Sequence, residues 1–209
     1  IDSGKVMTAE ELEAGKFFGR YTDVDGDGIP FRTYPGTHPT KGAYFTRGTS
    51  RNRMAGYSEK GVDYQDNMER LLKKFHTAAT LVPGPVVKPA TQKTRIGAIY
   101  FGSTSAAMDE ALETLEAKGH HIDAMRVRAF PFGQDVYDFI HAHEEICVVE
   151  QNRDAQLRSL LMIEGGIDPA RLTSILHYDG TPITARFLID AIGKRLDARQ
   201  ATRQITRKP

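Results

Sequence analysis

From residue 95 onward, short apolar runs alternate with amphipathic stretches, and no other feature restricts the fold as much. Residues 95–101 (RIGAIYF) read as a strand. Gly102-Ser103-Thr104 then turns the chain and offers a hydroxyl as N-cap. Across residues 105–118, Met108, Ala111, Leu112 and Leu115 recur at the i, i+3, i+4, i+7 spacing of one helix face, and Gly119 is a natural stop. The cycle repeats, with strands at residues 122–127, 145–150 and 172–176. Helices are expected near residues 135–142, around Leu157, Leu160 and Leu161, and from Thr184 through Phe187, Leu188, Ala191 and Ile192. Such alternation predicts an α/β fold: a doubly wound, mostly parallel sheet with helices on both faces.

A seam precedes this pattern. Three prolines fall in Pro83-Gly84-Pro85-Val86-Val87-Lys88-Pro89. Proline disfavours helix and removes a backbone donor, so residues 83–94 read as an extended linker. The expected organisation is an irregular, partly helical region over 1–82, the linker over 83–94, the α/β domain over 95–196 and a basic tail over 197–209.

The first region has no sustained period. Thr8, with Glu11 three residues on, marks a helix near residues 6–14, and Met68, Leu71, Leu72 and Phe75 give helical spacing to residues 64–75. Residues 17–61, rich in Gly, Pro, Thr and Arg, make too long a loop for a free-standing domain, so they are expected to pack on something outside this sequence. Within them, Asp23, Asp25 and Asp27 with Gly26 and Gly28 imitate the opening of an EF-hand calcium loop. That loop needs a bidentate glutamate at its twelfth position, where Tyr34 stands, and Pro30 and Pro35 spoil the exit helix. A structural turn without a metal is expected. Arg47, Arg51 and Arg53 gather beside Thr46, Thr49 and Ser50. Guanidinium forks grip carboxylates and phosphates, which makes Arg47, Thr46 and Arg51 candidates for contact with a substrate or a subunit. A solvated arginine loop is the plainer alternative.

Charge and composition narrow the function classes. With 28 basic against 27 acidic residues the net charge is +1, so nothing global points to nucleic acid or a membrane. Locally, Lys194, Arg195, Arg199, Arg203, Arg207 and Lys208 face Asp197 alone, which reads as a solvated helix end or as a docking element for an acidic partner. No apolar run reaches the roughly 18 residues of a spanning helix, and no secretion signal is visible. The single cysteine, Cys147, excludes an internal disulfide and a four-thiolate iron–sulfur site within the chain. Lying between Ile146 and Val148 it reads as a packing residue, and a reducing cytoplasm is the expected compartment. His141 and His143 diverge and read as surface histidines, with His120 and His121 as turn residues after Gly119. The Gly102-Ser103-Thr104 corner lacks both GxGxxG and GxxxxGKS/T and reads as a structural turn.

Taken in order, several of these segments resemble one family. Asp25-Gly26-Asp27-Gly28-Ile29-Pro30, followed by Arg32-Thr33 and Pro35-Gly36, is similar to the DGDGIP-x-R-x-x-PG stretch of α subunits of 2-oxoacid:ferredoxin oxidoreductases. Thr46-Arg47-Gly48, Gly56-Tyr57 and Met68-Glu69-Arg70-Leu71 continue the likeness. Phe130-Pro131-Phe132, Val148-Val149-Glu150-Gln151-Asn152 and Gln156-Leu157 carry it to the C-terminal domain, so that it runs from Phe17 to Ile192.

The resemblance implies oxidative decarboxylation of a 2-oxoacid on thiamine diphosphate, transfer of the acyl group to coenzyme A, and electron flow through an iron–sulfur cluster to ferredoxin. It implies that residues 1–82 are the end of a pyrimidine-binding domain and residues 95–196 a domain resembling the transketolase C-terminal domain. A β subunit would hold the diphosphate–Mg²⁺ site and the cluster cysteines, so this chain alone is expected to bind no cofactor and to be inactive. The sequence opens at Ile1 and lacks the upstream YPITPS-like tract, so the start of the subunit is expected to be missing. No catalytic residue carries over by motif. The DVDGDGIP wording looks more like 2-oxoglutarate than pyruvate enzymes. The alternative is a stand-alone doubly wound module that binds a ligand in the crevice near Gly102 to Thr104.

Overall fold

The computed structural model describes residues 3–206, with side chains described as far as Arg199. The chain divides into two compact units, Ile1–Val82 and Pro83–Pro209.

Unit 1 contains two helices, α1 (Ala9–Glu13) and α2 (Gly61–Leu81). The start of α1 is a reciprocal capping box: Glu11 N–H donates to Thr8 Oγ1 at 3.3 Å and Thr8 N–H to Glu11 Oε2 at 2.9 Å. Between the helices the chain is irregular, tied by isolated bridges from Val6 to Arg32 and from Arg51 to Tyr57. The DGDG turn is seated on α2. Thr77 Oγ1 donates to the Asp27 carbonyl at 2.6 Å, and Arg70 Nη1 donates to the Gly28 carbonyl at 3.1 Å. Gly28 has φ +77°, and a Cβ there would lie 2.4 Å from the Lys74 backbone nitrogen, so only glycine lets the turn lie against the helix.

Unit 1 has almost no interior. Its buried hydrophobic side chains, among the described residues, are Met7, Leu12 and Ala55. The apolar stripe that makes α2 helical faces outward instead, with Tyr64 47 %, Met68 38 % and Leu72 63 % exposed.

Unit 2 is the α/β domain. Its strands are β1 (Val86–Lys88), β2 (Ile96–Phe101), β3 (Asp123–Val127), β4 (Glu145–Glu150) and β5 (Leu172–Leu176); its helices are α3 (Thr104–Ala117), α4 (Gln134–Ala142), α5 (Gln156–Gly165) and α6 (Ala185–Thr206). The sheet order is β1-β3-β2-β4-β5. All neighbours are parallel except β1, which runs antiparallel to β3 at the edge. This is the doubly wound, mostly parallel sheet that the alternation predicts. Side chains alternate across it. Ala98, Tyr100, Cys147 and Val149 pack on one face with Met108 and Leu115 of α3 and Leu188 and Ile192 of α6. Ile99, Ile146 and Val148 pack on the other face with Val136 and Ile140 of α4 and Leu157 and Leu161 of α5. No helix among the described residues is long and apolar enough to cross a membrane.

Local chemistry sets the boundaries. After α3, His120 N–H donates to the Leu115 carbonyl at 2.9 Å and Gly119 N–H to Glu116 at 2.8 Å, with Gly119 at φ +86°. These two bonds are the paired C-terminal closure that a left-handed glycine permits.

Two local expectations change, and the basic tail is the helix end that its charges suggest. The stretch read as a linker contributes the edge strand β1, flanked by Pro85 and Pro89, because extended backbone next to β3 can pair with it. His143 is buried rather than on the surface. Its ring nitrogens lie 2.7 Å from the Phe139 carbonyl and 2.9 Å from Asp123 Oδ2, a polar pocket that the helix period alone does not reveal; His141 is exposed. Much of the basic tail is helical, since α6 runs to Thr206. Arg195 Nε donates to Glu145 Oε1 at 2.7 Å, and Arg199 pairs with Glu144 and Glu145, so these two cations pin α6 to the start of β4. The side chain of Arg203, and Arg207 and Lys208 altogether, lie outside the described residues.

Candidate functional site

The three arginines that the sequence groups together part company. Arg53 forks the Asp66 carboxylate of α2, with Nε 2.8 Å from Oδ2 and Nη2 2.5 Å from Oδ1. Arg47 is exposed, its guanidinium 5.7 Å from the centre of the Tyr57 ring, and Thr46 beside it is half-buried. Arg51 turns inward. Its Nη2 donates to the Gly48 carbonyl at 3.2 Å, and its own carbonyl accepts from Asn67 Nδ2 at 2.5 Å.

What Arg51 meets there is a different set of residues. Arg20, Arg51 and Arg70 all lie over the ring of Tyr21, their guanidinium carbons 5.2, 5.5 and 5.7 Å from its centre. In each, Nε is buried with no hydrogen-bond partner. Burial, and then the neighbouring charge of Arg20, pull the Arg70 guanidinium below its ordinary pKa. Residues 20, 51 and 70 share no local spacing, so sequence reasoning reaches only Arg51; the Arg-Tyr pair at 20–21 was the one available signal.

The acidic turn is settled by lysines. Asp23, Asp25 and Asp27 form a group of three carboxylates able to hold a cation. Lys5 Nζ is 2.6 Å from Asp25 Oδ1 and 2.6 Å from Asp27 Oδ2, and Lys73 Nζ is 3.3 Å from Asp23. Lys5 and Lys73 thus neutralise the carboxylates of this turn.

In unit 2 the switch point of the sheet lies between β2 and β4, where open α/β folds commonly bind ligands. Gln151 bridges it, and beside it Phe101, Gly102, Val127, Phe132 and Leu157 line a cleft of about 430 Å³. Gln151 Nε2 donates to Ser103 Oγ at 3.0 Å and to Thr104 Oγ1 at 3.1 Å. The hydroxyl cap expected at this corner is absent, because Ser103 is in the helical conformation and its oxygen serves Gln151. The fully buried Glu150 accepts from Leu157 N–H at 2.7 Å, Arg158 N–H at 3.0 Å and Asn152 Nδ2 at 2.8 Å, which satisfies the donors at the start of α5. Cys147 is buried, and burial pushes its thiol up to about 12, far from a reactive thiolate.

No family model and no curated protein matches the chain. Among solved structures it is similar to 2-oxoglutarate:ferredoxin oxidoreductase from Magnetococcus marinus with 2-oxoglutarate, coenzyme A and succinyl-CoA bound. The TM-score is 0.73 at 19 % identity, over 86 % of this chain and 31 % of that one. A split gene transketolase, described as an inactive β4 tetramer, gives 0.44 at 17 % identity over 53 % of this chain and 40 % of its own. The α chain of a probable 2-oxoacid ferredoxin oxidoreductase from Thermoplasma acidophilum gives 0.38 at 22 % identity over 55 % and 97 %. The first likeness establishes a shared fold, and this chain spans less than a third of that protein's length.

Proposed function

We propose that this chain is part of the α subunit of a 2-oxoacid:ferredoxin oxidoreductase, of the 2-oxoglutarate-using kind. On this reading residues 1–82 are the end of a pyrimidine-binding domain and residues 95–196 a transketolase C-terminal-like scaffold. The site of action is the cytoplasm. The observation that carries the reading is the missing interior of unit 1: an arginine-rich region with three buried hydrophobic side chains and an outward-facing stripe on α2 requires another surface to complete it. A β subunit is the natural source of that surface. The family motifs between Phe17 and Ile192 and the shared fold support the same assignment.

This chain's own residues do not fit thiamine diphosphate. The diphosphate is held through a divalent cation, and the carboxylate group formed by Asp23, Asp25 and Asp27 is already taken by Lys5 and Lys73. The one cysteine is buried in the sheet and is no cluster ligand. Cofactor, Mg²⁺ and iron–sulfur chemistry, coenzyme A and ferredoxin therefore belong to the assembled enzyme, to which Arg47 and Thr46 offer outward contacts. The alternative, a stand-alone module, would take its ligand in the cleft of about 430 Å³ lined by Phe101, Gly102, Val127 and Leu157.

The test is a complex purified on an affinity tag carried by this chain. The complex is expected to reduce a viologen dye when given 2-oxoglutarate and coenzyme A. The chain alone is expected neither to do so nor to bind thiamine diphosphate at micromolar concentration by calorimetry. Turnover by the isolated chain, or no oxoacid-dependent reduction by the complex, overturns the proposal.

A further inference from the structure

We infer that Arg20, Arg51 and Arg70 form, around Tyr21, a binding site for a phosphate group. An aromatic ring has two faces, so at least two of three guanidiniums lying within 5.7 Å of one ring centre share a side. Each is attracted to the ring, but like charges on one side repel, and each buried Nε without an acceptor is unfavourable. The arrangement asks for an anion.

The neighbouring carboxylates do not supply it. Asp66 is forked by Arg53, Asp23 is paired with Lys73 and accepts from Gly26 N–H, and Glu69 accepts from Gln65. Arg70 and Tyr21 open on a cleft of about 260 Å³, whose acids Asp23, Asp66 and Glu69 are the three already engaged. Arg70 feels the charges of Asp23 and Asp66, but among the described residues no carboxylate is hydrogen-bonded to any of the three guanidiniums. Three such cations match a dianion with three acceptor oxygens better than a carboxylate with two, and guanidinium forks suit such a group. The ligand class is therefore a phosphate, either free or as the monoester of a small molecule.

The test uses the complex purified on this chain's tag, in which a partner supplies the surface that unit 1 lacks, titrated in calorimetry with inorganic phosphate, with ribose 5-phosphate and with acetate. Saturable binding of at least one phosphate at sub-millimolar concentration is expected, with acetate at least about tenfold weaker, and the stronger of the two phosphates identifies the source. Added salt is expected to weaken the binding. Arg20→Gln is the informative variant, because Arg20 makes ring contacts and its buried Nε has no hydrogen-bond partner among the described residues; it is expected to weaken binding about tenfold or more with an unchanged circular dichroism spectrum. Arg70→Lys keeps the charge and loses the fork, with a loss in the same direction. Absence of saturable binding to the wild-type complex overturns the inference whatever the variants do. So does equal affinity for acetate, or an affinity that Arg20→Gln leaves unchanged. The measurement involves no oxoacid turnover, so its outcome is separate from that of the enzyme assignment.

Discussion

The carboxylate of Glu150 accepts the backbone N–H of Leu157 at 2.7 Å, completely out of solvent. An acid at the end of β4 thereby does for α5 what an N-cap side chain usually does, since Ala155 at the cap position has no polar group. Glu150→Ala strands three donors and is expected to destabilise unit 2 by about 2–4 kcal/mol, read from urea midpoints. Glu150→Gln, which keeps an acceptor, is expected to cost less.

Ala155 itself has φ +50°, a conformation that costs a side chain about 1–2 kcal/mol. Glycine removes that strain but gives back about 0.4–1 kcal/mol in unfolded-chain entropy. Ala155→Gly is therefore expected to raise the melting temperature slightly, by the equivalent of about 0.5 kcal/mol.

Gly28→Ala combines an unfavourable φ with a clash against backbone that cannot move aside. The DGDG turn is expected to lift from α2 at a cost of about 2–4 kcal/mol. Faster hydrogen exchange at Ile29, whose N–H is held by Asp27 Oδ1, reports it.

Burial alone would raise the Glu145 carboxyl. Hydrogen bonds from Arg195 and Thr173, with the charges of Arg195 and Arg199, outweigh it and hold the group below its ordinary 4.5. A depressed carboxyl stabilises the fold above its unfolded value and loses that contribution as pH falls through the folded value. Urea midpoints are expected to drop below about pH 4.5 in the wild type. Glu145→Gln should be weaker near neutrality and show a shallower fall.

Cys147 is expected to resist iodoacetamide at pH 8 in the native chain and to label once urea unfolds unit 2, because burial both shields the thiol and holds it protonated. Rapid native labelling would mean that the strand opens.

The sheet domain was legible because each local signal agreed with the next. The apolar run at Glu145–Glu150, the 3–4 spacing through Met108 and Leu115, and Gly119 as terminator each fix one boundary. Strand β1 was not, since three residues carry no period. The buried state of His143 depends on Asp123, twenty positions away, and the bridge at the switch point on Gln151 meeting Ser103 across 48 positions. The stripe on α2 announced a helix correctly but could not say that it faces outward. The cluster around Tyr21 depends on three distant stretches and has no one-dimensional signature.

Proline placement at the sheet edge has a consequence for behaviour at high concentration. The outer rim of β1 is a short ladder of backbone groups, and Pro85 and Pro89 close it at both ends by withholding N–H groups. A neighbouring molecule that tries to extend the sheet finds three residues of purchase, with Lys88 among them. Fibre-like growth from that side is thus blocked by the same residues that mark the seam.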